Sequence, residues 1–310
     1  MKYITFGRTG FEVSRISMGC NRLGDKGADP AQWPPIVQRA LELGVTFFDT
    51  SNHYNVGRSE MILGEVLSKH PKRTVIATKV GMPRNSEATE PRDFSAEGVL
   101  MGAEESLKRL KRDRIDLYML HSPSLAHLEG ETWPRAMEQL KREGKIASFG
   151  ISTSNHASGI RAIEMGADFL QLEYDLLDPS AEDELLPLAR RNNVGVMVRT
   201  PLARGLLSGK FRPGEAISPE QQWRRPTGDR LQLRLARIEQ LRFLERPGQN
   251  LAQAALRWLL VNPAVHCLIP GARTLEQLEA NISAIDAELT AEEIDRVKEL
   301  HAEWRAEGRW

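Results

Sequence analysis

Three polar residues close three apolar runs: Asp49 in VTFFDT, Lys79 in TVIATK and His121 in IDLYMLH. Tyr54 follows five residues after Asp49, in the next loop. In a parallel barrel the C-terminal ends of different strands face one shared pocket. A phenol beside an ammonium, with a carboxylate anchoring the ammonium and an imidazole nearby, makes a proton-donating site. Such a set suits carbonyl reduction, given a hydride source. Taken singly, each residue has a plainer reading. Asp49 before Thr50, Ser51 and Asn52 can cap a turn, Tyr54 can pack with its hydroxyl satisfied, and His121 can be a core histidine. Lys79 is harder to dismiss, because lysine is rarely drawn inward without a partner.

These residues need a scaffold that brings them together. Short β-rich runs at 16–19, 45–49, 74–79, 115–121, 148–152, 169–174, 195–200 and 265–269 alternate with longer helical patterns. Several runs are apolar on both faces, as in a parallel sheet covered on both sides. Helical stretches are expected over 35–43, 58–69, 95–110, 131–142, 155–165 and 181–191, several of them ending at a glycine C-cap. The first two runs, 2–6 and 11–15, read as a hairpin. Eight βα units point to a (β/α)8 TIM barrel with an N-terminal β-hairpin cap and extra C-terminal helices, forming one domain over 1–310. Two parts break the rhythm. Residues 209–249 are expected to be a long loop with its own short helix over the pocket mouth, Trp223, Arg224 and Arg225 belonging to a lid and the arginines of 221–246 to a solvated helix face. After residue 285, Thr290 with Glu293 reads as a capping box opening a last helix.

The totals narrow the class. Lys+Arg and Asp+Glu balance at 42 each, so no basic field favours nucleic acid or an anionic membrane. No apolar run approaches the roughly 20 residues of a spanning helix, and the start has no apolar signal core. Cys20 and Cys267 are far apart, without metal-ligand spacing, and read as small buried fillers in a reducing compartment. No metal is called for, and a cytoplasmic location is expected. A dinucleotide fold would show G-x-G-x-x-G after its first strand. Here that strand is followed by Gly19, Cys20, Asn21, Arg22, Leu23 and Gly24, so a nicotinamide would be held another way.

Five stretches in order, GVTFFDTSNHYNVGRSE, TVIATKVG, IDLYMLHSP, GKIASFGIS and IPGARTLEQLEANIS, make the chain resemble the aldo-keto reductase superfamily. The resemblance implies the barrel, with NADPH extended across its C-terminal face. It implies Tyr54 as general acid for the carbonyl oxygen, Lys79 lowering the phenol's pKa, Asp49 orienting Lys79, and His121 as second donor to the same oxygen.

The same resemblance carries the cofactor contacts. Gly19, Cys20, Asn21 and Asp49 would lie beside it. Ser152 and Gln171 match the grip on the nicotinamide carboxamide; where many members next carry Asn, this chain has Thr153, with Asn155 two further on. Arg199 falls where many members place an aromatic ring, and a guanidinium can stack on the nicotinamide; alternatively it pairs with Glu173 or Asp175. Thr200, Leu202, Arg204, Gly205 and Lys210 lie in the stretch resembling the pyrophosphate loop. Gly271, Ala272 and Arg273 line up with the 2′-phosphate site, and Gln277 and Asn281 with adenine contacts. Arg273 argues for NADP, since a guanidinium suits a phosphate, although it can also cap a helix. His53, His127 and His156 read as surface or loop residues, with His53, Asn21, Arg22, Met82 and Pro123 as contributors to the pocket wall.

Three functions are in play. The first is an NADPH-dependent oxidoreductase delivering hydride to an aldehyde or ketone. The second is a dehydrogenase oxidising an alcohol on a sugar-like substrate. The third is a slow-turnover NADP-sensing subunit, as in the potassium-channel β-subunits of the superfamily. The partner expected is a small carbonyl or alcohol, the chain being a monomer or weak homo-oligomer.

Overall fold

The computed structural model describes residues 1–70, 72–83, 91–214, 217 and 225–308. Trp223 and Arg224 of the expected lid therefore lie outside the described residues. A hairpin of β1 (Tyr3–Thr5) and β2 (Glu12–Ser14) precedes eight parallel strands: β3 (Met18–Gly19), β4 (Phe47–Asp49), β5 (Val75–Val80), β6 (Ile115–His121), β7 (Ile146–Thr153), β8 (Phe169–Glu173), β9 (Gly195–Arg199) and β10 (Cys267–Leu268). Neighbours in sequence are neighbours in the sheet. Parallel bridges Ile16↔Leu268 and Gly19↔Gly271 join the last strand to the first and close the barrel.

All eight expected strands are present, with altered ends. The stretches expected at 16–19 and 265–269 shrink to two ladder residues each. Pro270, which has no N–H to give, only accepts a bond from Gly19 N at 3.1 Å. β9 stops at Arg199 because Thr200 turns to a positive φ of 52°.

The helices pack outside the strands: Trp33–Glu42, Arg58–Leu67, Ala96–Leu110, Thr132–Arg142, His156–Glu164, Leu185–Arg191, Leu251–Val261 and Leu275–Ile282. Ala291–Ala306 opens with the expected box: Glu293 Oε2 accepts from Thr290 N at 2.8 Å, and Thr290 Oγ1 from Glu293 N at 3.1 Å. Among its described residues, the 209–249 segment holds a longer helix than expected, the 13-residue Gly228–Gln240. The solvated-face reading of its arginines is wrong for Arg237. Leu231, Leu235 and Ile238 bury one side of that helix, and Arg237 beside them is covered by Trp304, 4.9 Å from the ring centroid. Among the described residues, no helix is long and apolar enough to cross a membrane.

Strand periodicity explains why chemistry sits at one end. Alternate residues of a strand point to the same side. Phe47, Ala77, Leu117, Met119, Phe169 and Met197 form a common apolar cluster with Phe6. The next positions in phase are Asp49, Lys79, His121, Gln171 and Arg199. The cluster thus gives way to a polar layer over one or two rungs. Phe6, from the hairpin, plugs the opposite end against Phe47 (5.9 Å between centroids) and Phe169 (6.0 Å). It fits because Gly195 has no side chain; a Cβ there would stand 2.8 Å from the Phe6 ring. Phe6→Ala is expected to lower stability by about 3–5 kcal/mol, the range for a fully buried aromatic, read as a lower urea midpoint with an unchanged slope.

Candidate active site

Lys79 is the hub. It has no exposed surface, and its Nζ donates to Asp49 Oδ1 and Oδ2 (both 2.8 Å), Thr50 O (2.7 Å) and Tyr54 Oη (3.1 Å). An ammonium has three protons: the carboxylate takes one, the carbonyl one and the phenol oxygen one. Tyr54 Oη is thereby an acceptor toward Lys79 and keeps its own proton to give elsewhere.

Burial pulls the Lys79 ammonium toward neutrality, but Asp49 and Tyr54 outweigh it and its pKa is raised. Burial pushes the Asp49 carboxyl up, against the pull of Lys79 and a 2.7 Å bond from Gln171 Nε2. With all these donors on the carboxylate, the pair is ionised. Lys79 lowers the phenol, as expected, but burial outweighs it. Burial drives Tyr54 above 10.0, Lys79 pulls it back only in part, and Asp49 raises it further. The phenol therefore stays protonated well past neutral pH, the form a proton donor needs.

His121 faces this group across the pocket, its ring edge-on to Tyr54 at 6.0 Å and 87°. Its Nδ1 lies 3.2 Å from Ser51 Oγ. His53, read as a surface or loop residue, is half-buried in its loop, 6.0 Å from His121, with Nδ1 bonded to Pro83 O.

A second chain of contacts runs from β7 to the hub. Ser152 Oγ donates to Gln171 Oε1 at 2.8 Å, and Gln171 Nε2 continues to Asp49. Of the two readings of Arg199, the ion pair is the one seen. Its Nη1 is 3.1 Å from Glu173 Oε1, which also takes Arg204 Nη2 at 2.5 Å, while Asp175 faces Arg234 at 3.9 Å. Arg199 Nε is buried with no hydrogen-bond partner among the described residues. Beside this fork a polar cleft of about 650 Å³ opens, lined by Glu173, Thr200, Arg204, Arg225 and Arg234 among others.

The nucleotide-side residues form two groups. After β9, Thr200, Ala203, Arg204 and Gly205 all have positive φ (52°, 49°, 57° and 86°). Left-handed backbone in a β-branched residue such as Thr200 is costly and gathers at functional sites, and successive residues in such turns can aim N–H groups at an anion. Leu202 is half-buried in this turn and Lys210 is exposed at its end. Across the barrel seam, Gly19 pairs with Gly271, and a Cβ on Gly271 would sit 3.1 Å from Asn21 Oδ1. Ala272 is buried, Arg273 and Gln277 are exposed, and Asn281 Nδ2 donates to Gly271 O at 3.3 Å. Cys20 and Cys267 are buried fillers, as expected; burial pushes both thiols up. A nicotinamide nucleotide fits these residues: the spare donor on Arg199, the positive-φ turn and the Ser152–Gln171 pair offer polar groups where the resemblance expects it.

Sequence reasoning missed the brace beneath Tyr54. Glu60, fully buried, accepts from Thr78 Oγ1 (2.6 Å) and Arg109 Nε (2.6 Å), tying the first turn of Arg58–Leu67 to β5 and to Ala96–Leu110. The signal was present: Glu60 shares a helix face with Leu63, Gly64 and Leu67, so a carboxylate on an apolar stripe needed a cation.

Comparison with known proteins agrees with this fold. Residues 15–302 match the model of the Aldo/keto reductase family, and the chain belongs to that family. It is 34% identical over 309 residues to the "Uncharacterized oxidoreductase YrpG" of Bacillus subtilis (strain 168), covering 94% of this chain and 93% of that protein. It is 30% identical to the "NADH-specific methylglyoxal reductase" of Escherichia coli (strain K12), covering 97% of this chain and 98% of that one. Among solved structures, the holo form of aldo-keto reductase AKR11C1 from Bacillus halodurans superposes with a TM-score of 0.81 at 30% identity, covering 97% of this chain and 96% of that one. The protein is thus an oxidoreductase of a family that uses nicotinamide cofactors.

Glu60→Ala is expected to cost about 3 kcal/mol, because it strands part of a buried ion pair. Glu60→Gln, which keeps an acceptor for Thr78, should cost less. Chemical denaturation of the two variants checks the order.

Proposed function

We propose that this protein reduces the carbonyl of an aldehyde or ketone with NADPH, Tyr54 acting as general acid. The observation that carries the reading is the Lys79 hub, which holds the Tyr54 oxygen at 3.1 Å while leaving its proton free to be donated. The bound nicotinamide supplies the hydride. Tyr54 Oη gives its proton to the carbonyl oxygen as negative charge builds there, and Lys79 stabilises the phenolate left behind. Asp49 keeps Lys79 charged and aimed. His121 donates a second hydrogen bond to the same oxygen, so that charge develops against two fixed donors. Ser152 and Gln171 grip the carboxamide of the cofactor. Glu173 holds the Arg199 guanidinium, which would lie against the nicotinamide, and Thr200, Leu202, Arg204, Gly205 and Lys210 of the turn after β9 would hold the pyrophosphate.

With its phenol protonated at neutral pH, Tyr54 is in the form that reduction uses; alcohol oxidation at the same site would use it as the base. The choice of NADPH rests on Arg273, whose exposed guanidinium suits a 2′-phosphate. The name of the Escherichia coli relative, NADH-specific, is why this choice needs its own test.

Tyr54→Phe is expected to keep the Kd for NADPH and lose about 10²–10⁴-fold in kcat, the usual worth of a positioned acid. An unchanged kcat across a panel of aldehydes and ketones, followed by nicotinamide absorbance, would remove Tyr54 from the role. Cofactor binding without turnover of any carbonyl would favour the sensing subunit instead. Arg273→Ala should weaken NADPH about 10- to 100-fold, as loss of a charged hydrogen bond does, and leave NADH nearly unaffected. Equal losses for both would show that Arg273 does not read the 2′-phosphate. With Tyr54 raised, kcat for reduction should hold steady through neutral pH and decline only as pH passes the phenol's value, above the ordinary tyrosine range.

A further inference from the structure

We propose that Ser51 is a positioning residue that sets which nitrogen of His121 carries the ring proton. The inference rests on the reading of His121 as second donor to the substrate oxygen and says how this chain prepares it.

Two aromatic neighbours hold the plane of the His121 ring. Tyr54 meets it at 87° and His53 at 84°, each 6.0 Å between centroids. Such contacts fix a plane but do not distinguish the two flip states of an imidazole, which place nitrogen or carbon at the same spots. A directional hydrogen bond does. Ser51 Oγ, fully buried, supplies it at 3.2 Å from Nδ1.

The direction of that bond follows from the other neighbours of Ser51 Oγ. His53 N, 3.2 Å away, is a backbone N–H and can only donate, so Oγ accepts there. One hydroxyl proton remains to be placed. Its candidate acceptors are His121 Nδ1 at 3.2 Å and Asn52 Oδ1 at 3.5 Å, and the second lies at the outer limit of a hydrogen bond. The proton goes to Nδ1. The neutral ring then carries its own proton on Nε2, which makes Nε2 the donor.

The backbone around Ser51 ties this setting to the rest of the site. Ser51 O accepts from Tyr54 N at 3.1 Å, and the residue before it, Thr50, gives its carbonyl to Lys79 at 2.7 Å. One turn, 50–54, therefore holds the ammonium, presents the phenol and orients the imidazole. A residue without a hydroxyl at 51 would keep the backbone bond from Tyr54 N, but lose the acceptor for His53 N and the orientation of the imidazole.

The test is long-range ¹H–¹⁵N NMR of histidine-labelled protein, run without substrate, alongside kinetics of Ser51→Ala and Ser51→Thr. In the parent, His121 is expected as the Nε2–H tautomer. In Ser51→Ala the Nδ1–H form should appear and kcat fall roughly tenfold, the rate equivalent of about one hydrogen bond, with the Kd for NADPH unchanged. Ser51→Thr, which keeps the hydroxyl, should restore both. A parent ring protonated on Nδ1, or a Ser51→Ala variant with parental tautomer and kcat, would overturn the proposal. So would a Ser51→Thr variant that behaves like Ser51→Ala, since packing would then be the cause. Failure of the underlying reading looks different: His121→Ala would retain parental kcat, whatever the tautomer measurement reports about Ser51.

Discussion

A lysine ammonium buried without exposed surface must find an acceptor for each of its protons, or its desolvation would force it neutral. Lys79 meets that demand with a carboxylate, a carbonyl and a phenol. Much of the site's order follows. Asp49 must end β4 beside β5, as their parallel register allows. Thr50 must turn its carbonyl inward. Tyr54 must return over the barrel mouth within five residues. Gln171 then satisfies the remaining side of Asp49, and Ser152 satisfies Gln171. Polar groups of four strands are thus linked through one charge.

The barrel separates stability from chemistry along its axis. One end is filled by Phe6, Phe47, Phe169 and their aliphatic neighbours. At the other end, Val56, Ser122 and Thr200 carry positive φ just after Tyr54, His121 and Arg199. Such backbone is tolerated only where the surroundings over-determine it. Here the surroundings include the Glu60–Arg109 pair under the Tyr54 loop and Glu173 under Arg199. The strained turns and the polar residues they follow belong to one rim, where backbone N–H groups and side chains face a common space.

Much of the fold was legible because βα periodicity is a long-range signal. Eight apolar runs appeared in the sequence and eight strands are present. Their ends were not legible: Thr200 leaves β9 through a backbone angle that no side-chain pattern encodes. At the site, Asp49, Lys79 and His121 stood out because polar residues ending apolar strands are conspicuous. Ser51 did not, since a serine in a turn is commonplace and its significance lies in a neighbour 70 residues away. The direction of the Tyr54 shift was missed for a related reason. Sequence showed the cation, but the burial that outweighs it is a property of the assembled pocket.

The most direct test of this account is the titration of Tyr54, followed by ¹³C NMR of labelled tyrosine ring carbons in the parent and in Lys79→Met. The account predicts that the parent phenol ionises above 10.0 and that removing the cation moves it higher still, since Lys79 is the group pulling it down. A Tyr54 titration that does not move when Lys79 is replaced would contradict the claim that this ammonium organises the proton donor.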